Sequence, residues 1–145
     1  MARKIDFRGS SRRHYSDAEF LLQDSRLPNA GHLFGFAAEC GIKALLVAHG
    51  LRTDQATGDI EEQRPYKQYK THVNVLINNM QTFPSSPNYS KYLGMMPNLQ
   101  YFSDWDASHR YYDEAAIPSS HARWRQAALE IIRTLDQAKL DGVMP

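Results

Sequence analysis

Apolar residues recur at spacings of three and four along much of the chain, and no stretch alternates convincingly at period two. The first such pattern predicts a helix from about Arg12 to Ser25, with Tyr15, Ala18, Leu21, Leu22 and Ser25 on one face. "RLPN" breaks it, because Pro28 disfavours helical geometry at Leu27. A second helix runs from about Asn29, a suitable N-cap, to His49, where Gly50 stops it. Leu33, Phe34, Phe36, Ala37, Cys40, Ile42, Leu45, Leu46 and Val47 leave it almost no solvent face, which places it centrally in a bundle.

Residues 51–67 are polar and aperiodic and read as a loop. A third helix is expected from about Gln68 to Phe83, striped by Tyr69, Val73, Leu76, Ile77, Met80 and Phe83, until "PSSP" ends it. Residues 88–118 carry many aromatics, and a short helix or two with an aromatic-anchored loop is expected there. A last helix starts at a Ser119 or Ser120 cap and runs to about Leu140. Its stripe is Trp124, Ala127, Ala128, Ile131, Leu135 and Ala138, and Gly142 closes it. The expected fold is all-α, an antiparallel up-and-down bundle of four to five helices.

With 145 residues, the chain fits one domain spanning 1–145. Residues 1–11 read as a basic, irregular arm that could meet phosphate backbones. A net charge of +1 gives no global pull towards nucleic acid or membrane. Ile5-Asp6-Phe7-Arg8 follows Arg3 and Lys4, so no leader is expected, and no uninterrupted apolar run suggests a membrane span. The single cysteine, Cys40, excludes an internal disulfide and fits a reducing, cytoplasmic setting. Among its apolar neighbours it reads as a structural thiol rather than a nucleophile.

The central helix nevertheless carries Glu39 and Lys43, four positions apart in the order that favours an intrahelical ion pair. His32, Gly35, Glu39, Lys43 and Leu46 share one strip. The pair either lies at the edge of the packed face, its lysine stem covering apolar surface, or forms a polar seam against a specific neighbour.

"SDWDASHRYYDE" offers a second cluster. Trp105 or Tyr111 would stack on a base, and Arg110 or His109 would meet phosphate. Asp104, Asp106, His109 and Asp113 supply donors that a divalent ion takes, but at no recognised metal spacing, so neither metal nor cofactor is expected. The alternative is a loop pinned by its aromatics with its charges in water. His72 reads first as a packing histidine and second as a contact for a partner.

The segment "RHYSDAEFLLQDSRLPNAGHLFGFAAECGIKALL" resembles the first two helices of the HEPN family. Its most specific part is the block Ala37-Ala38-Glu39-Cys40-Gly41-Ile42-Lys43-Ala44-Leu45-Leu46, similar to the family's Glu-x-x-x-Lys-x-Leu-Leu. "KTHVNVL" is similar to Lys-x-His-x-x-x-Leu, on Lys70, His72 and Leu76. "HRYYD" resembles Arg-Tyr-Pro-Asp, on Arg110, Tyr111 and Asp113. The resemblance implies a helical homodimer associated with nucleotide or RNA. Many such proteins are ribonuclease toxins, or partners of a small nucleotidyltransferase acting as antitoxin or in defence. The nucleotide-contacting set would then be Glu39, Lys43, Asp104, Trp105, His109 and Tyr111.

Ribonucleolytic members carry Arg, four to six residues, then His near the start of the last long helix. There the chemistry is metal-independent: histidine moves protons while arginine holds the phosphate. In this chain Arg110 and His121 bracket that region but lie too far apart in sequence to match the pattern. Arg8 to His14 and Arg26 to His32 have the right gap in the wrong place. Only a loop that folds back would bring Arg110 and His121 together as a catalytic pair. The competing reading is a non-catalytic module, in which the Glu39/Lys43 strip and the aromatic loop contact a nucleotidyltransferase or a second copy of the chain.

Overall fold

The computed structural model describes residues 4–84 and 86–145. The described residues form an all-α bundle of five α-helices: α1 (Phe7–Gln23), α2 (Leu27–Ala48), α3 (Val73–Asn79), α4 (Pro87–Gly94) and α5 (His121–Leu140). Short 3₁₀ turns lie between α2 and α3, α3 and α4, and α4 and α5, and the one β-bridge among the described residues, Thr53 to Ile60, sits inside the long loop.

The helix α1 begins five residues earlier than its periodicity predicts. Asp6 caps it, its carboxylate accepting the Gly9 N–H at 2.9 Å. The expected arm over residues 1–11 is therefore helical from Phe7, while its first three residues lie outside the described ones. Ser11 explains why a polar sequence is helical here: it is fully buried, and its hydroxyl donates to the Ala37 carbonyl at 2.7 Å. A small side chain with its own hydrogen bond lets α1 lie close against α2.

Pro28 does not break the chain, as the pattern suggested. It occupies the first turn of α2, where its missing N–H would have no helical partner anyway. The break falls at Ser25, whose φ of 59° turns the chain between the two helices.

α2 packs chiefly against α1 and α5, and Ala30, Phe34, Ala38, Ile42 and Leu46 are fully buried in the core. The expected stripe of α5 is its buried face: Trp124, Ala127, Ala128, Ile131, Leu135 and Ala138 are all inaccessible. α2 is also long and apolar enough to cross a membrane by length and composition. Reading only uninterrupted runs missed this, because Glu39 and Lys43 interrupt them; in the fold most of its surface is covered by protein.

α3 is shorter than predicted, but the predicted stripe is right. Val73, Leu76 and Ile77 are buried on the helix, while Tyr69, Met80 and Phe83 continue the buried line through flanking 3₁₀ turns. Asn79 holds the two turns together by donating to the Gln68 carbonyl at 2.7 Å. The loop from residue 51 is anchored by buried Leu51 and Ile60. Beyond α4 the chain makes three 3₁₀ turns, Leu99–Asp104, Ala107–Tyr111 and Glu114–Ala116, pinned by buried Phe102 and Trp105.

Candidate functional site

The strip on α2 becomes a polar and aromatic seam. Glu39 is 8% exposed and Lys43 7%, so the pair is not an edge feature of the helix. The Lys43 ammonium donates to Glu39 Oε2 at 3.0 Å and lies 5.8 Å from the centre of the Phe7 ring, a residue of α1. Glu39 Oε1 receives a second contact, from His72 Nδ1 at 2.9 Å. His72 precedes α3 in extended backbone, and about half of its side chain remains exposed. One buried carboxylate therefore joins a buried ammonium to an accessible imidazole.

A turn earlier on α2, imidazole and indole rings gather. Gly35 makes this possible: a Cβ there would fall 2.0 Å from Trp105 Nε1, so only glycine admits the indole against the helix. His32 stacks on Trp105, with ring centres 5.1 Å apart and planes at 19°. Phe36 meets Trp105, His32, His72 and His14 at centre distances of 5.4, 5.0, 6.2 and 6.0 Å. Burial, followed by nearby His109, Arg110 and His72, pushes the His32 pKa below its usual value. Burial and the Arg13 charge do the same to His14, against weaker opposing pulls from Asp17 and Glu39. Both His32 nitrogens and Trp105 Nε1 are enclosed without a hydrogen-bond partner.

Several expected nucleotide contacts are corrected by burial. Trp105 is 1% exposed, and its ring is committed to Gly35, His32 and Phe36; it cannot stack on a base from this position. His109 is also buried, between Trp124 and Tyr112. Asp104 serves the fold: it accepts from Trp124 Nε1 at 2.8 Å and from the Ser120 hydroxyl, tying the 3₁₀ segment to the start of α5. Tyr111 is open to solvent, 77% exposed, with the Arg110 guanidinium over its ring at 4.9 Å.

His121 opens α5 and lines a groove with Ser25, Leu27, Pro28, Glu114, Ile117 and Trp124. Arg110 is not among the residues lining that groove. The carboxylates considered for a metal have local tasks, Asp106 capping at Ser108 and Asp113 at Ala115. No group of three metal-ligating side chains lies together among the described residues. Burial pushes the Cys40 thiol up to about 11, with Glu39 adding to the effect, which suits a packing role.

The sequence offered the seam as one of two readings of Glu39 and Lys43, and it did not identify His72, His14 and Phe36 as its other walls. His72 stood in a motif-like segment; its meeting with Glu39 depends on the tertiary fold, which no spacing rule describes. Comparison with known protein families, characterised proteins and solved structures finds no match for this chain.

Proposed function

We propose that this is a HEPN-like helical protein that associates with RNA or nucleotide, as the toxin or accessory component of a two-gene toxin–antitoxin or defence system. The observation that carries the reading is the contact between Glu39 and His72. The block around Glu39-Lys43, the most specific part of the resemblance, meets the segment around Lys70-His72: Glu39 and His72 lie 2.9 Å apart although 33 positions separate them. The contact falls at an accessible imidazole that meets the Phe36 ring, and Phe36 in turn meets the ring of His14, which follows Arg13 on α1. Aromatic edges beside proton-carrying and cationic groups suit a base and its phosphate.

The test is binding of labelled single-stranded RNA and of mononucleotides, by fluorescence anisotropy and thermal shift, in EDTA. Saturable binding that weakens in a Phe36→Ala or Arg13→Glu variant supports the reading. A flat response in both assays at high protein concentration contradicts it.

A non-catalytic module is the second reading, and one observation favours it: Arg110 lies on Tyr111, outside the groove that His121 lines. In this reading the protein docks on a nucleotidyltransferase-type antitoxin, or on a second copy of itself, without cleaving RNA. Light scattering on the purified chain, and on its mixture with a co-expressed nucleotidyltransferase, checks each association.

A further inference from the structure

We propose that residues 105–119 form a proton-released strap: protonation of His32 lifts Trp105 and His109 off α2 and α5 while the long helices stay packed. This goes beyond the reading of the protein as RNA-associated and does not depend on it.

The way the strap is attached carries the proposal. Its two ends are clipped together, because Asp104 accepts both from the Ser120 hydroxyl and from Trp124 Nε1 in the first turn of α5. Between Asp104 and Ser120 only Trp105 and His109 are buried, and residues 110–116 are exposed throughout. The hydrogen bonds found for residues 106–119 are made to one another, as in Ser108 to Asp106, Tyr112 to His109, Ala115 to Asp113 and Ile117 to Glu114. Two rings therefore hold down a loop whose ends are already closed. Such a loop can lift without unravelling its neighbours.

His32 lies against the first of those rings, stacked on Trp105 at 5.1 Å. Both of its nitrogens are enclosed without a partner, and so are Trp105 Nε1 and His109 Nδ1. A neutral imidazole is tolerated there, whereas an imidazolium brings a charge and two donors that nothing meets. The surrounding charges make this worse. The strap contributes His109 and Arg110 and the head of α3 contributes His72, all basic, and they act on His32 after burial itself. α1 contributes His14, reached through the Phe36 ring, with Arg13 beside it and Asp17 acting on it. α5 contributes His121, which faces Gly31, the residue before His32. The nearby acids are engaged elsewhere: Glu39 by Lys43 and His72, Asp106 by the Ser108 N–H and hydroxyl at 2.8 and 2.6 Å, and Asp104 by the clip.

Lifting the strap returns His32 to water and to its ordinary value of 6.5, from a lower one in the closed fold. The open form therefore binds the proton more readily. Opening is favoured as pH falls below about 6.5, by at most about tenfold per pH unit for one proton. It uncovers the bare backbone of Gly35 and the Phe36 ring, which Trp105 covers when the strap is closed.

The experiment follows hydrogen exchange of the Trp105 indole N–H by NMR on the full chain, between about pH 7 and pH 5, corrected for the rate of free indole. Trp105→Phe assigns the signal, the backbone amides of α5 report global unfolding, and circular dichroism reports helix content. Trp105 should be less protected than the α5 amides at every pH. Its protection should fall by up to about tenfold per pH unit below about pH 6.5, with helix content unchanged. His32→Phe keeps a ring in the stack without a titrating nitrogen and should flatten that fall. Arg110→Gln, at an exposed position, removes a cation that opposes protonation of His32 in the closed fold and should weaken it. Protection of Trp105 equal to that of the α5 amides overturns the proposal, as does protection that does not change with pH, or an equal fall in folded His32→Phe. Should His32→Phe fail to fold, an undiminished fall in Arg110→Gln overturns it instead.

Discussion

Glu39 on the central helix holds His72 at the head of α3 at 2.9 Å, while Lys43, one turn further along, occupies the other carboxylate oxygen at 3.0 Å. The acid and base in an otherwise apolar helix are thus partners in a three-residue chain that ends at the surface. Their cost to the core is offset because neither charge is left alone.

That pairing makes single substitutions asymmetric. Lys43→Met removes the ammonium and leaves a buried carboxylate with only a half-exposed imidazole beside it. The expected loss is about 3–5 kcal/mol, read from urea unfolding. The double variant Glu39→Leu/Lys43→Met should be more stable than Lys43→Met, because the stranded charge is gone. A double variant less stable than the single would contradict the burial argument.

Gly35 governs the ring cluster. In Gly35→Ala the new Cβ would meet the indole of Trp105 at 2.0 Å, so the ring and its 3₁₀ segment must shift. The expected cost is about 1–3 kcal/mol, with a red shift of tryptophan emission as the indole moves towards water. Wild-type stability and emission would show that the contact is not close.

Stability should fall on mild acidification. His14 and His32 are held below the ordinary imidazole value of 6.5 in the fold. A base with a depressed folded pKa binds its proton more readily once unfolded. Its contribution is therefore complete above about pH 6.5 and is lost as pH falls from there towards the folded value. Asp141, held at about 2 by Lys91, Tyr92 and Gln137, titrates well below this window. Urea midpoints across the window should decline in the wild type and decline less in His32→Phe. Equal slopes in the two proteins would remove His32 from the explanation.

Helix content, the stripe of α5 and the burial of Tyr69, Met80 and Phe83 were legible because each follows a local period. Helix limits were less so. Asp6 as a cap and Pro28 in a first turn are decided by backbone geometry that composition only suggests. Trp105 looked like a base-stacking residue because its aromatic loop is rich in polar groups. Its burial depends on Gly35, 70 positions earlier, presenting bare backbone. Glu39 and Lys43 stood out as charges in an oily helix, but the identity of their third partner was not written in any local pattern.

The tautomer of His72 tests the central claim most directly. Long-range ¹H–¹⁵N correlation spectra of the neutral imidazole should show the proton on Nδ1, with that preference lost in Glu39→Gln. A ring protonated on Nε2, or one unchanged by Glu39→Gln, would contradict the assignment of Glu39 as the residue that orients it.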